Sequence, residues 1–109
     1  MTPTRYYQYM WKRTPKVKLW VDDVRDAPAG WICARNYHEA TGWISTGKVD
    51  TISLDHDLGE ACTGYDIAKF IVDTRLWPKV IYFHTMNPVG RQNMEQLLKR
   101  YAPSGVRVV

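Results

Sequence analysis

The feature that most constrains the fold is a short apolar run that ends abruptly in three ionisable residues. Val49 to Leu54 has the length and the β-branched composition of a buried strand, and Asp55, His56 and Asp57 follow it directly. Open α/β sheets bind their ligands at the carboxyl ends of strands. Two carboxylates this close repel each other, so a metal ion or an arginine is expected beside them. A solvated acidic turn is the alternative interpretation.

Two further apolar strands end in polar groups in the same way. The run V-K-L-W-V ends in Asp22 and Asp23, and the run V-I-Y-F ends in His84 and Thr85. Helical patterns separate the strands, and this alternation predicts a parallel sheet flanked by helices. All parallel strands present their carboxyl ends at one edge, so these polar groups are expected to meet there.

Three helices are predicted from their end signals. They cover about 37–46, 65–76 and 88–101. Asn36 and Asn87 are favourable N-caps, and the proline after Asn87 suits the first helical position. The first and third helices therefore each follow a polar cap that orients the first turn.

The first βα unit is predicted to be shortened. A second short strand at 31–34 follows the first strand too closely for a helical crossover, so the usual first helix is missing or replaced by a loop. The chain of 109 residues predicts one domain at 16–109. A basic, aromatic arm at 1–15 precedes it.

Composition narrows the class of protein. No apolar run approaches membrane-spanning length and no secretory leader opens the chain, so a cytoplasmic location is expected. Cys33 and Cys62 are too few for a disulfide framework and are interpreted as buried apolar residues.

Positive charge concentrates in the first 25 residues and negative charge in 50–66. A basic rim around an acidic pocket would suit a phosphorylated ligand held with a metal.

Carboxylates and imidazoles are the candidate reactive groups. Hard divalent ions such as Mg²⁺ or Mn²⁺ prefer carboxylate oxygens, and the candidate ligands are Asp22, Asp23, Asp55 and Asp57. In each pair, Asp23 and Asp57 have the alternative of capping a turn. His84 and His56 are candidates for general base and general acid, because imidazole titrates near neutral pH. Ligation of a transition metal together with the carboxylates is the alternative role for both. An outward-facing loop position is the alternative for His56.

A second set of residues is suited to binding phosphate. The start of the third helix offers free backbone N–H groups and a positive dipole end. An ordinary capped helix is the alternative interpretation. The candidate phosphate-binding residues at this edge are Arg91, Asn87, Thr85, Arg25 and Arg35.

Motifs along most of the chain resemble one family. The chain contains, in order between Lys18 and Tyr101, the segments L-W-V-D-D-V-R-D-A-P-A-G-W, A-R-N-Y-H-E-A, I-S-L-D-H-D-L-G, T-G-Y-D and H-T-M-N-P-V-G-R. They resemble the cyclic-phosphate processing receiver-like domains, relatives of response-regulator receivers. The resemblance implies a receiver-like, flavodoxin-type three-layer α/β sandwich with a mostly parallel sheet. It also aligns Asp55 with the phosphoacceptor of receivers.

The resemblance and the residues together give three hypotheses of function. The first is a metal- and/or histidine-assisted phosphoesterase that acts on a cyclic nucleotide or on cyclic-phosphate-ended RNA. The second is a non-catalytic module that sequesters a nucleotide or binds a protein at the same edge, for instance in a phage or mobile element. The third is a phosphoaccepting receiver, which is disfavoured because residues 106–109 lack the Lys that receivers place there. A homodimer is a candidate assembly.

Overall fold

A computed structural model of the chain describes residues 16–109, so the arm predicted at 1–15 lies outside the described residues. Strands and helices alternate along this part of the chain. The elements are β1 (Val17–Val21), β2 (Ile32–Ala34), α1 (Tyr37–Ser45), β3 (Val49–Leu54), α2 (Gly64–Thr74), β4 (Val80–Phe83), α3 (Pro88–Tyr101) and β5 (Arg107–Val108).

The five strands form one sheet in the order β2-β1-β3-β4-β5, and every neighbouring pair is parallel. The strands β1 and β2 pair directly although only the loop at 22–31 joins them. Parallel neighbours usually need a crossover of about a dozen residues or more, most often a helix. The predicted shortening of the first βα unit and the receiver-like α/β fold are both confirmed.

The three helices pack on the same face of the sheet. The crossovers through α1, α2 and α3 all advance in one direction across it, and such crossovers are right-handed. Contacts between the helices agree with this. Tyr37 of α1 meets Phe70 of α2 at a ring-centroid distance of 6.4 Å, and Met94 of α3 lies against Gly64 of α2. Within residues 16–109, the helices therefore supply a layer on one side of the sheet only. The third layer of the sandwich implied by the resemblance is not formed by these residues, since a loop replaces the first helix.

The core lies between these helices and alternate residues of the strands. Its fully buried members include Leu19, Val21, Ile52, Leu54, Ile67, Ile71, Ile81, Met94 and Leu98. The intervening strand residues Trp20, Ser53 and Tyr82 share one register position and point to the opposite face. No helix among residues 16–109 combines the length and the apolarity needed to cross a bilayer.

Local signals explain where the helices begin and end. The side chains of Asn36 and Asn87 accept hydrogen bonds from the third residues of α1 and α3, which confirms both as N-caps. The prediction placed the end of α1 one residue too late and the end of α2 two residues too late. The helix α2 ends at Thr74 because Arg75 takes a left-handed conformation with φ of 59°. These ends do not alter the edge that carries the polar residues.

Candidate functional site

The register of the sheet aligns three polar residues at the carboxyl edge. Asp22, Asp55 and His84 each occupy the first position after a strand, and the last residues of β1, β3 and β4 are paired in register. Each of the three backbone N–H groups donates to a carbonyl of the neighbouring strand at 3.1 Å. The sheet ladder thus extends one residue past the strands and fixes these residues, which we call the edge group.

A chain of hydrogen bonds connects Asp22 and His84 of the edge group to Ser53 of β3. The Nε2 atom of His84 lies 3.2 Å from Oδ2 of Asp22, and Nδ1 lies 2.7 Å from Oγ of Ser53. The imidazole also stacks on the indole of Trp20, with ring centroids 3.7 Å apart and planes 9° apart. Asp22 is 1% exposed. One face of the imidazole and both of its nitrogen atoms are therefore held by protein groups.

Asp22 is buried but fully supplied with hydrogen-bond donors. Its Oδ1 accepts the backbone N–H groups of Val24 and Arg25, each at 2.9 Å. Burial by itself would raise the pKa of this carboxyl. The hydrogen bonds from Arg25 and Val24, together with His84, instead lower the pKa of Asp22 below its ordinary value. Asp22 is therefore an ionised carboxylate at neutral pH.

The charge of Asp22 fixes the tautomer of His84. An ionised carboxylate only accepts hydrogen bonds, so Nε2 of His84 carries a proton and Nδ1 accepts from the Ser53 hydroxyl. Burial lowers the pKa of His84 below its ordinary value, against the opposing attraction of the Asp22 and Asp55 carboxylates. The ring is therefore neutral near pH 7, and its Nε2–H faces the carboxylate edge.

This lowered pKa predicts an acid-sensitive fold. Below the unfolded pKa of about 6.5, the unfolded chain binds a proton at this position that the folded chain does not. Stability is therefore lost as pH falls from 6.5 toward the folded pKa of His84, at no more than about 1.4 kcal/mol per pH unit for one proton. Urea unfolding between about pH 7 and pH 5 should show this decline. The His84→Gln variant should flatten it.

A matched control separates His84 from the other imidazoles. His38 lies exposed on α1, so its replacement by glutamine should leave the slope of stability against pH unchanged. An equal slope in wild type and the His84→Gln variant would show that burial of this imidazole does not set the acid response.

The edge group has the composition of a metal site. One ligand atom from each of Asp22, Asp55 and His84 lies within 4.8 Å of the others. Two carboxylates and an imidazole suit Mn²⁺ or Zn²⁺ better than Mg²⁺, which prefers oxygen ligands. The position of Ser53 is also compatible with metal binding by His84. A metal-binding imidazole donates its other N–H to a polar partner, and the Ser53 hydroxyl can accept as readily as it donates.

The other two predicted metal ligands lie outside the edge group. Asp23 is half-buried and lies beside Gly59, where a Cβ atom would come 2.9 Å from its Oδ2. Asp57 faces His56 and Asn87 instead. Alternation accounts for Asp23, because neighbouring residues project in opposite directions. Asp57 stands two residues beyond Asp55, but the chain bends at His56 and no longer follows the strand.

A cavity of about 440 Å³ opens beside Asp55, and we call it the edge cavity. It brings together three of the predicted phosphate-binding residues with two of the carboxylates. Its lining includes Arg25, Asp55, Asp57, Thr85 and Asn87. A guanidinium, a hydroxyl and an amide beside two carboxylates provide both donors for an anion and acceptors for a water molecule.

The structure places Arg91 and Arg35 elsewhere. Arg91 donates from Nε to Oε1 of Glu95 at 2.8 Å, one turn along α3, and neither residue lines the edge cavity. Arg35 binds the loop at 22–31. Its guanidinium donates to the carbonyl of Arg25 at 2.7 Å and to Asp26 at 2.8 Å. Arg35 therefore holds the loop that replaces the first helix and that carries Arg25.

His56 belongs to a second hydrogen-bonded set at the rim of the edge cavity. Its Nδ1 lies 3.0 Å from Oδ1 of Asp57, and Asn87 donates to Oδ2 of the same carboxylate at 3.2 Å. These two hydrogen bonds lower the pKa of Asp57. The ring packs on Gly90, where any Cβ atom would overlap it. His56 is thus held inward, and its side chain is 17% exposed.

Sequence reasoning missed two residues that shape the site. Ser53 contacts His84, and Trp20 stacks on it. The signal that reveals them is the period of two along a strand. Trp20 stands two residues before Asp22, and Ser53 stands two residues before Asp55, so each shares a face with a member of the edge group.

Comparison with known proteins assigns the family. No curated protein and no solved structure shows a significant match to the chain. The family model of the cyclic-phosphate processing receiver domain matches residues 17–100. This span contains the whole edge group, the edge cavity and the rim set of His56, and it begins at the first residue of β1. The chain therefore belongs to the cyclic-phosphate processing receiver domain family.

Proposed function

We propose that the protein hydrolyses cyclic phosphates of nucleotides or RNA ends to phosphomonoesters. The observation that carries the proposal is the alignment of Asp22, Asp55 and His84 beside a cavity that also contains cationic and neutral donors. The family assignment supports cyclic-phosphate processing as the context. The reaction itself is inferred from the groups at the edge.

The edge cavity is suited to hold the phosphoryl group. Arg25 contributes a positive charge, and the Thr85 hydroxyl and the Asn87 amide contribute neutral donors. Thr85 also accepts the backbone N–H of Asn87 at 3.1 Å, which fixes its hydroxyl near the start of α3. A cyclic phosphate diester carries a single negative charge. One guanidinium offsets that charge, while Asp55 stays on the side from which water approaches.

Two proton transfers complete the proposed reaction. Water attacks phosphorus and forms the new P–O bond, and Asp55 accepts the proton that this water loses. The P–O bond to one ribose oxygen breaks, and protonated His56 donates its proton to that oxygen. Asp57 accepts the Nδ1–H of His56 and orients the ring. His84 donates its Nε2–H to Asp22 and accepts from Ser53, so in this reaction it positions the Asp22 carboxylate beside Asp55.

A metal is an alternative use of the same residues, in which Asp55 and His84 would be ligands and would not have the proton-transfer and proton-holding roles described above. A divalent ion would be held by Asp22, Asp55 and His84, and it would supply positive charge where negative charge develops on the phosphoryl oxygens. The preference of this donor set for Mn²⁺ over Mg²⁺ gives the proposal a specific expectation.

The experiment is a substrate screen by ³¹P NMR and chromatography. The purified chain is incubated with 2′,3′-cyclic, 3′,5′-cyclic and cyclic dinucleotides and with RNA ending in a 2′,3′-cyclic phosphate, in Mn²⁺, in Mg²⁺ and in chelator. We expect a ring-opened phosphomonoester, formed fastest from 2′,3′-cyclic phosphates because their five-membered ring is strained. The rate should be higher in Mn²⁺ than in Mg²⁺.

Three outcomes separate the hypotheses. Turnover that persists in chelator would show that the histidines and carboxylates catalyse the reaction without a metal. Ligand recovered unchanged but bound to the protein would replace hydrolysis with sequestration. Absence of both turnover and binding across the screen would contradict the proposed function.

A further inference from the structure

A second and larger cavity lies away from the edge group, between α2 and α3. Its volume is about 610 Å³, within the range of about 300–1,000 Å³ that is typical of ligand sites. The start of α2 supplies one wall through Tyr65. The other wall comes from the α3 residues Asn93, Gln96, Arg100 and Tyr101. We call it the α2–α3 groove.

The wall from α3 belongs to the solvent-facing side of the helix. Asn93, Gln96 and Arg100 lie three and four residues apart, so they form one continuous stripe. A stripe that packs on a core is apolar. Here all three residues are exposed and polar, and Tyr101 beyond them is 51% exposed. The stripe therefore faces solvent and is free to contact a ligand.

The chemistry of the groove matches single-stranded nucleic acid. Two tyrosine rings can stack on bases, and two carboxamides can donate to and accept from base edges. None of the residues that line the groove is a carboxylate. Cations accompany both aromatic rings. Lys69 lies 5.7 Å from the ring centroid of Tyr65, and Arg100 lies 5.5 Å from that of Tyr101. These charges favour an anionic ligand, and the two rings with the two carboxamides favour nucleic acid over an acidic peptide, because a peptide offers no bases to stack.

The groove adjoins the edge cavity through one side chain. His56 lines the groove, and it is hydrogen-bonded to Asp57, which lines the edge cavity with Asn87. The imidazole therefore stands between the two spaces. A ribose whose cyclic phosphate occupies the edge cavity can extend past His56 into the groove.

We propose that the α2–α3 groove binds the nucleotides that precede the cyclic-phosphate terminus, so that the preferred substrate is the end of an RNA strand. The proposal rests on the proposed function for the identity of the reacting end. It adds a specificity site, since a free cyclic mononucleotide fills the edge cavity and leaves most of the groove empty.

Fluorescence anisotropy tests the proposal without turnover. The probe is a short labelled single-stranded RNA with a 3′-phosphate, which is the ring-opened form. Replacing Tyr65 with leucine should weaken its binding by at least about fivefold, because stacking of a single base is lost. The Arg100→Gln variant should weaken binding by up to about fivefold. It should also lower the slope of log affinity against log salt by about 0.7, as expected for one phosphate contact to a single strand.

Matched controls keep the test specific. Lys99 lies on the same turn of α3 and faces Glu95 at 3.7 Å, outside the groove. The Lys99→Gln variant makes the same change of charge and should bind the RNA as the wild type does. Turnover of a 2′,3′-cyclic mononucleotide should be equal in the wild type and the Arg100→Gln variant.

The two proposals fail in different ways. RNA affinity that is unchanged in both groove variants, or absent in the wild type, would overturn the groove proposal whatever the turnover results. RNA binding that depends on Tyr65 and Arg100 in a protein with no turnover would support the groove and contradict only the esterase.

Discussion

Replacing Asp55 with asparagine should lower turnover of cyclic phosphates by at least about 100-fold, the lower end of what a positioned acid or base contributes. The change removes a negative charge and the proton acceptor but keeps the shape of the side chain. Its remaining carbonyl oxygen can still accept the backbone N–H of His56, which lies 2.8 Å from Oδ1 of Asp55. The backbone N–H of Asp55 still donates to Val21. We therefore expect the Asp55→Asn variant to fold as the wild type does but to lose most of its turnover.

The same strand provides a control for this substitution. Asp50 lies near the other end of β3, half-buried, and forms a 3.9 Å ion pair with Lys16. The Asp50→Asn variant changes charge identically but stands far from the carboxyl edge. We expect it to retain wild-type turnover. Initial rates measure the turnover of both variants, and thermal unfolding measures their stability. Full activity in the Asp55→Asn variant would remove Asp55 from the mechanism.

Replacing Gly64 with alanine should destabilise the fold by about 3 kcal/mol, the upper end of the usual cost of overpacking. Gly64 is the first residue of α2, and a Cβ atom there would overlap the carbonyl oxygen of Asp55 and lie 3.0 Å from Sδ of Met94. The obstructing carbonyl is backbone, so it cannot move by a rotamer change. The backbone N–H of Gly64 also donates to the carbonyl of His56 at 2.8 Å. Relief of the clash would therefore shift the backbone of both Asp55 and His56.

Gly42 is the matched position for this test. It lies exposed within α1, and a Cβ atom added to it would have no neighbour within 4 Å. The Gly42→Ala variant should gain about 0.5–1 kcal/mol, because alanine loses less backbone entropy in a helix. Urea unfolding followed by circular dichroism measures both. A Gly64→Ala variant as stable as the wild type would mean that α2 can retreat from Asp55 without cost.

Much of the fold and of the edge group could be predicted because the relevant signals are local. Apolar runs mark the strands, and the residue that follows each run reaches the edge wherever the sheet is parallel. That reasoning brings Asp22, Asp55 and His84 together before any coordinates are known. The short link between the first two strands similarly indicates that a loop replaces a helix.

The remaining features depend on directions that a linear reading does not resolve. The pairs Asp22–Asp23 and Asp55–Asp57 offer equal chemistry in the sequence, and only the register of the sheet selects one member of each. Arg91 has an acceptor one helical turn away in Glu95, and this local pairing competes with any role at the edge. The α2–α3 groove also cannot be predicted from the sequence, because it is formed only when two helices pack side by side.

The contact between Trp20 and His84 gives the protein a built-in optical reporter. The indole of Trp20 is stacked 3.7 Å from the imidazole of His84. A protonated imidazole accepts an electron from an excited indole more readily than a neutral one, so it quenches the indole fluorescence more strongly. The emission of Trp20 should therefore report the charge of His84, once the signal of the other four tryptophans is subtracted with a Trp20→Phe variant. The same stacked pair that holds the imidazole in place should therefore let binding of an ion at the edge group be followed in real time, without a label.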